Sequence, residues 1–391
     1  MMLRRRTALL GLAAAVTFGG ASLAMADADT RKRFVVVILR GALDGLSVVV
    51  PYGDANLRNW RGSLVLPEPG RDGGLLALGG FWGLHPGLPQ IHALYRAGQA
   101  LPIHAVAGPN RSRSHFEAQD ILECGADRRM ESGWMNRLAG VLPASGDGDN
   151  ALALGQTVPL ILRGPTPIDA WGRGNVPAAT ADFYTQLLAI HDRDPLTKAA
   201  LTDGLRDRNF NTHALDGMPG TGGDAPFIAL ARTGGRLLAK PNGPRLAVLD
   251  ADGWDTHSSQ NPRLSYALPV LDNGIAALKD GLGAAWADTV VLVVTEFGRT
   301  VRVNGTGGTD HGTGTAAFVL GGGVAGGRVQ ADWPGLSEAK LFENRDVQPT
   351  LDLRSLAKGI LAQHYSLGPQ PLETVFPDST GFAPARGLLR A

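Results

Sequence analysis

Short blocks of aliphatic and β-branched residues recur along the chain, each bounded by glycine, proline or polar residues. Phe34–Leu39 reads Phe-Val-Val-Val-Ile-Leu, with no polar position on either face. Such a run fits a strand buried on both sides. Ile103–Val106, Pro159–Leu162, Leu246–Leu249, Val290–Val294 and Ala317–Leu320 repeat the pattern and are expected to be strands. Between them the apolar spacing lengthens to that of a helix. Pro89–Ala97 puts Ile91, Leu94 and Tyr95 on one face, and Ser114–Cys124 opens with Ser-His-Phe-Glu, a capping box of Ser114 and Glu117. Asp182–His191, Ala225–Leu238, Ser265–Trp286 and Thr350–Tyr365 are the remaining expected helices. Strands alternating with helices predict an α/β fold, a mainly parallel central sheet with helices on both faces. Residues 145–223 lie between "SGDGDN" and "GMPGTGGD" and are largely helical in pattern. They are expected to form an inserted cap region of the α/β domain, which spans 27–391.

Composition changes the picture at the start of the chain. Residues 1–26 have a basic start, an apolar stretch and a small-residue exit, Ala24-Met25-Ala26, the pattern of a cleaved export signal. Arg5-Arg6-Thr7-Ala8-Leu9-Leu10 approximates a twin-arginine signal, with Ala8 where an aromatic is usual. An ordinary secretory signal is the alternative. Either places the mature protein in the periplasm or outside the cell, with no transmembrane anchor after cleavage. Loss of Arg4, Arg5 and Arg6 lowers the basic count from 37 to 34, against 36 acids, for a net charge of −2. That balance argues against a nucleic-acid partner held by bulk charge. The single cysteine, Cys124, excludes an intramolecular disulfide, so stability must come from a core. Glycine, 53 of 391 residues, exceeds the usual ~7% and clusters in loops beside polar residues.

Four of those loops follow expected strands, where ligands bind in sheets of this kind. The first holds Asp44-Gly45; a turn stabilised by the Asp side chain is the plain alternative. The second, "NRSRSHFEAQD", puts Ser112, Arg113, Ser114 and His115 at a helix start, where a hydroxyl meets free N–H groups and a positive dipole end. Capping by either serine is the alternative. The third, "LDADGWDTHSSQ", gathers Asp250, Asp252, Asp255 and His257; carboxylates this close repel unless a cation or protons intervene. The fourth, "TEFGRTVRVNGTGGTDHGTG", carries Glu296, Arg299, Asp310 and His311 between two strands.

In combination, "RGALDGLSVVVPYGD", "SRSHFEAQD", "DGWDTHSSQ", "TEFGRTVRVNG" and "GTDHGTG" resemble the exported bacterial DUF1501 family, within the alkaline phosphatase/sulfatase-like superfamily. The resemblance implies an alkaline-phosphatase-like fold and one or two divalent ions, Zn, Ca, Mg or Mn. It implies metal ligands among Asp44, Asp252, Asp255, His257, Glu296, Asp310 and His311. It also implies catalytic groups among Ser112, Ser114, His115, Arg113 and Arg299, with either serine as nucleophile. One departure is plain. Where that superfamily commonly has Thr-Ser-Asp-His-Gly, this chain has Thr295-Glu296-Phe297-Gly298, and Phe297 cannot bind metal. Two functions are therefore expected to compete. One is an exported metal-dependent hydrolase of a phosphate or sulfate ester, with a small anionic ester or an envelope polymer as partner. The other is a non-catalytic envelope protein that binds through the same cleft.

Overall fold

The computed structural model describes residues 31–143, 150–155, 157–172 and 225–390. The expected export signal, the helix Asp182–His191 and most of the expected cap, all but 150–155 and 157–172, lie outside them. Strand β1 (Arg33–Leu39) is buried along its whole length. Val35, Val37 and Leu39 enter one hydrophobic cluster, and Phe34, Val36 and Ile38 enter another. The pleat sends alternate side chains to opposite faces, so both faces of the sheet are covered.

The other strands are β2 (Val49–Val50), β3 (Leu76–Ala77), β4 (Gly83–Leu84), β5 (Ala100–Ala107), β6 (Ala151–Leu154), β7 (Asp169–Trp171), β8 (Leu246–Ala251), β9 (Thr289–Val294), β10 (Thr315–Gly321) and β11 (Leu351–Asp352). Eight form the main sheet in the order β11-β5-β10-β9-β1-β8-β6-β7, while β2, β4 and β3 make a small antiparallel sheet. Every pairing in the main sheet is parallel except those of β10 with β5 and β9. The α/β class and the mainly parallel sheet are thus as expected.

The helices are α1 (Gly45–Val48), α2 (Leu57–Arg61), α3 (Pro89–Arg96), α4 (His115–Cys124), α5 (Trp134–Val141), α6 (Pro226–Leu238), α7 (Gln260–Leu282), α8 (Leu353–Tyr365) and α9 (Pro369–Val375). Residues of α3, α6 and α7 pack in the first cluster, and residues of α5, α8 and α9 in the second. Helix α7 begins five residues before its expected start. Pro262 falls in its first turn, where a missing N–H costs nothing. Pro159–Leu162 corrects a second expectation: it is a 3₁₀ turn over Leu160–Leu162, with the Ile161 N–H donating to Glu123 Oε2 at 2.9 Å. The strands at that end of the sheet are instead β6, whose Ala-Leu-Ala-Leu lacks any β-branched residue, and the short edge strand β7. No helix among the described residues is long and apolar enough to cross a membrane.

Candidate metal centre

The middle of the sheet delivers polar groups to one edge. β5, β9, β1 and β8 all end there, and β10 runs against them, so the loop before β10 reaches the same edge. His115 follows β5, Asp255 and His257 follow β8, Glu296 and Arg299 follow β9, and Asp310 and His311 precede β10. One donor atom from each of His115, Asp255 and His311 lies within 4.8 Å of the other two. His257 joins them: its Nε2 is 2.9 Å from His311 Nε2 and 3.1 Å from Asp255 Oδ1. His311 Nε2 is 3.4 Å from Asp255 Oδ1, and His115 Nε2 is 3.5 Å from Asp255 Oδ2.

Each of these donors is oriented from behind. His311 Nδ1 lies 2.8 Å from the Arg113 carbonyl, which can only accept, so Nδ1 carries the proton. His115 Nδ1 lies 2.7 Å from Glu296 Oε1, and His257 Nδ1 lies 3.1 Å from Asp310 Oδ1. With those carboxylates ionised, both rings also carry Nδ1–H. Three Nε2 lone pairs then face one carboxylate. The His115 Nε2 is buried and has no hydrogen-bond partner. Lone pairs and a carboxylate at such distances repel unless a proton or a metal cation sits among them. Imidazoles with a backed Nδ1–H and a free Nε2 are the usual state of metal-binding histidines.

Glu296 is nearly fully buried and holds more than one group. Its Oε1 accepts from His115, from Gln119 Nε2 at 3.0 Å and from the Gly41 N–H at 2.9 Å, and Oε2 accepts from Thr295 Oγ1 at 2.8 Å. Burial alone would raise its pKa; the bonds from His115 and Gln119 outweigh that and lower it. The same bond to Glu296 raises the pKa of His115. His311 is lowered, chiefly by burial, against the pull of the Arg113 carbonyl. At Asp255 burial is again opposed, here by the Arg299 guanidinium, whose Nη1 donates at 2.7 Å, and the carboxyl is held below its ordinary range. Gly41 has φ +118°, and a Cβ there would stand 2.5 Å from the Asp255 amide nitrogen, so only glycine lets these loops meet.

Phe297, at the position of the missing histidine, is buried with its ring 4.9 Å from that of His115 and 5.1 Å from that of His311. It packs the imidazoles rather than adding a donor. Asp44 does not join the cluster. Its carboxylate is taken by Arg61 Nη1 and Nη2 at 2.5 and 2.9 Å, by Ser47 Oγ at 2.6 Å and by Gln260 Nε2 at 2.5 Å. Asp252 is exposed and lines a groove with Trp254, Arg263 and Tyr266. Glu296 and Asp310 stand behind histidines. The exposed Ser112 hydroxyl donates to Asn110 Oδ1 at 3.0 Å, and Ser114 occupies the N-cap of α4 without a side-chain cap bond. The guanidinium of Arg113 is paired with Asp346 and Glu343, and that of Arg299 with Asp255 and Thr309. The sequence did not single out Gln119, Arg61 or Asp346. Gln119 alone left a trace, one helical turn after His115 and so on the same face.

Residues 89–376, well over half of the chain, match the profile of a family described as a protein of unknown function, DUF1501. The chain belongs to the DUF1501 family. No functionally curated protein matches it significantly. Among solved structures it is similar to PsFucS1 sulfatase from Pseudoalteromonas sp., at 14% identity over 100% of this chain and 78% of that one, with a TM-score of 0.41. TAB5 alkaline phosphatase, as a variant with Mg in its M3 site, gives 11% over 76% and 93%, TM-score 0.36. Ps i-CgsB in complex with k-i-k-neocarrahexaose gives 11% over 90% and 77%, TM-score 0.40. For Ps i-CgsB alone this chain covers 65% of the length, at 12% identity over 74% of this chain, TM-score 0.33. At such scores these are likenesses only, and their ligands and reactions remain theirs.

Proposed function

We propose that this DUF1501 protein is a metal-dependent hydrolase of a phosphate or sulfate ester, with one divalent ion held by His115, Asp255, His257 and His311. The observation that carries it is the set of three Nε2 atoms gathered on one carboxylate, with the buried His115 Nε2 lacking any hydrogen-bond partner. Three imidazoles and a carboxylate favour a borderline ion such as Zn²⁺ over Mg²⁺ or Ca²⁺, which prefer oxygen. A bound ion supplies Lewis acidity toward a phosphoryl or sulfuryl oxygen. The chain's own groups do the rest. Arg299 fixes Asp255, Glu296 and Asp310 fix His115 and His257, and the half-exposed Asp255 and His257 leave an open side for substrate. The start of α4, uncapped by Ser114, offers free N–H groups for an anionic oxygen beside His115. Asp44 and its ion partner Arg61 are mutually neutralised, which supports one ion rather than two.

The test is turnover of p-nitrophenyl phosphate and sulfate by metal-free protein, with and without Zn²⁺ or Mn²⁺. Zn²⁺-dependent turnover, abolished by His311→Ala, is expected. Failure to cleave either ester, in protein that does bind the ion, would move the assignment to the second reading, a non-catalytic envelope binding protein. One observation favours that reading: both guanidiniums expected to stabilise a transition state, Arg113 and Arg299, are engaged elsewhere. Ser112 and Ser114 remain the candidate nucleophiles. Loss of activity in Ser114→Ala with unchanged ion affinity would assign Ser114, and the same result in Ser112→Ala would assign Ser112. Export to the periplasm is the accompanying proposal. Arg5→Lys with Arg6→Lys should retain the precursor inside the cell, and unchanged export would remove the twin-arginine route.

A further inference from the structure

Arg113 sits two residues before His115 and adopts φ +57°, a left-handed conformation that a residue with a side chain rarely takes. Something must hold it there. Its Nε and Nη2 donate to Asp346 Oδ2 at 3.0 and 2.8 Å, and Nη2 also reaches Glu343 Oε2 at 2.5 Å. Asp346 is fully buried, and the same Oδ2 accepts from Thr313 Oγ1 at 2.8 Å. Thr313 is two residues beyond His311. One carboxylate oxygen thus binds the chain just before one imidazole and just after another. The ring is closed by the Arg113 carbonyl, which accepts the proton of His311 Nδ1. Arg345, next to Asp346, donates from Nη2 to the His311 carbonyl at 2.7 Å. The two imidazoles so bracketed lie with ring centroids 4.3 Å apart.

We propose that Arg113 and Asp346 are a positioning pair: the ion pair holds the left-handed turn that aims the Arg113 carbonyl at His311 and sets the spacing of His311 from His115. This rests on the assignment of those histidines as donors to a divalent ion. Neither Arg113 nor Asp346 touches the ion or a substrate. Each acts through His311, fixing the Nδ1–H form that leaves Nε2 free.

The test is Zn²⁺ affinity and the Co²⁺ visible spectrum of full-length Arg113→Gly and Arg113→Lys, beside the melting temperature of each metal-free protein. Glycine accepts φ +57° but removes the tether. Lysine keeps a charge opposite Asp346 and loses the two-nitrogen grip. The expected result is Zn²⁺ affinity weakened about 10–100-fold in Arg113→Gly, with a smaller loss in Arg113→Lys. The Co²⁺ spectrum should change in both. A merely structural pair would lower the melting temperature yet leave affinity and spectrum as in the wild type, and that result would overturn the proposal. Should Arg113→Gly not fold, Arg113→Lys decides alone. Wild-type protein that binds neither ion would remove the metal centre itself, and the positioning role with it. Wild-type binding with indifferent variants would remove the positioning role only.

Discussion

Arg61 and Asp44 set the residue-scale logic. Both side chains are almost wholly inaccessible, and their two-nitrogen contact is joined by the Thr300 carbonyl at 2.9 Å from Arg61 Nη2. Burying two charges costs solvation that their mutual attraction and hydrogen bonds must offset, and removing one member strands the other. Arg61→Ala should therefore cost about 3–5 kcal/mol in urea unfolding; a loss below about 1 kcal/mol, the scale of an exposed pair, would show that the carboxylate finds compensation elsewhere. The sequence identified Asp44 as a polar group in a turn at a strand's end, but it could not reveal an ion partner 17 residues away on α2. Buried histidines, His104 among them, contribute to the pH dependence. Burial pushes the His104 pKa down to about 4, with His85 at about 4 and His364 at about 3 for the same reason. Each is lowered on folding, so the unfolded chain binds the extra proton first. Stability is full above the unfolded value near 6.5 and falls as pH drops from there toward about 4. His104→Gln should reduce the slope of unfolding free energy against pH in that window by about 1.4 kcal/mol per pH unit. An unchanged slope would mean that His104 takes up its proton in the folded state.

At the scale of elements, the site is a consequence of strand direction. The β-branched runs made β1, β5, β8, β9 and β10 legible, and with them the expectation that polar loops meet at one edge. The antiparallel course of β10 was not legible, since a buried run carries no mark of direction. That course brings His311 to the edge ahead of its strand while the other groups arrive behind theirs. Tight loop packing then fixes the geometry. A Cβ on Gly298 would stand 2.1 Å from the Gly314 carbonyl oxygen and 2.7 Å from its carbon, so the segments flanking Arg299 and His311 would have to part. Gly298→Ala should destabilise by about 1–3 kcal/mol, the range for overpacking, and should also weaken binding of a divalent ion. Wild-type stability in thermal unfolding would show that the loops have slack. The sequence marked His115 as a candidate catalytic group beside two serines, not as a metal ligand. Its place in the imidazole cluster is set beside the turn at Arg113, and the sequence gives no sign that an arginine there would take φ +57°.

The whole molecule is a two-sided core that carries a cluster of three imidazoles and one carboxylate at the edge of its sheet. Family membership is secured by residues 89–376, yet it names no chemistry. The chemistry rests on whether the lone pairs of His115, His257 and His311 share a cation with Asp255. The most direct measurement is the metal content of full-length protein after dialysis against Zn²⁺, by elemental analysis. It should be paired with His115→Ala and His311→Ala and with isothermal titration of the metal-free forms. The account predicts one ion per wild-type chain and loss of that ion in both variants, while the Asp44–Arg61 pair takes none. Wild-type protein without bound ion, or variants that hold it as tightly as the wild type, would contradict it.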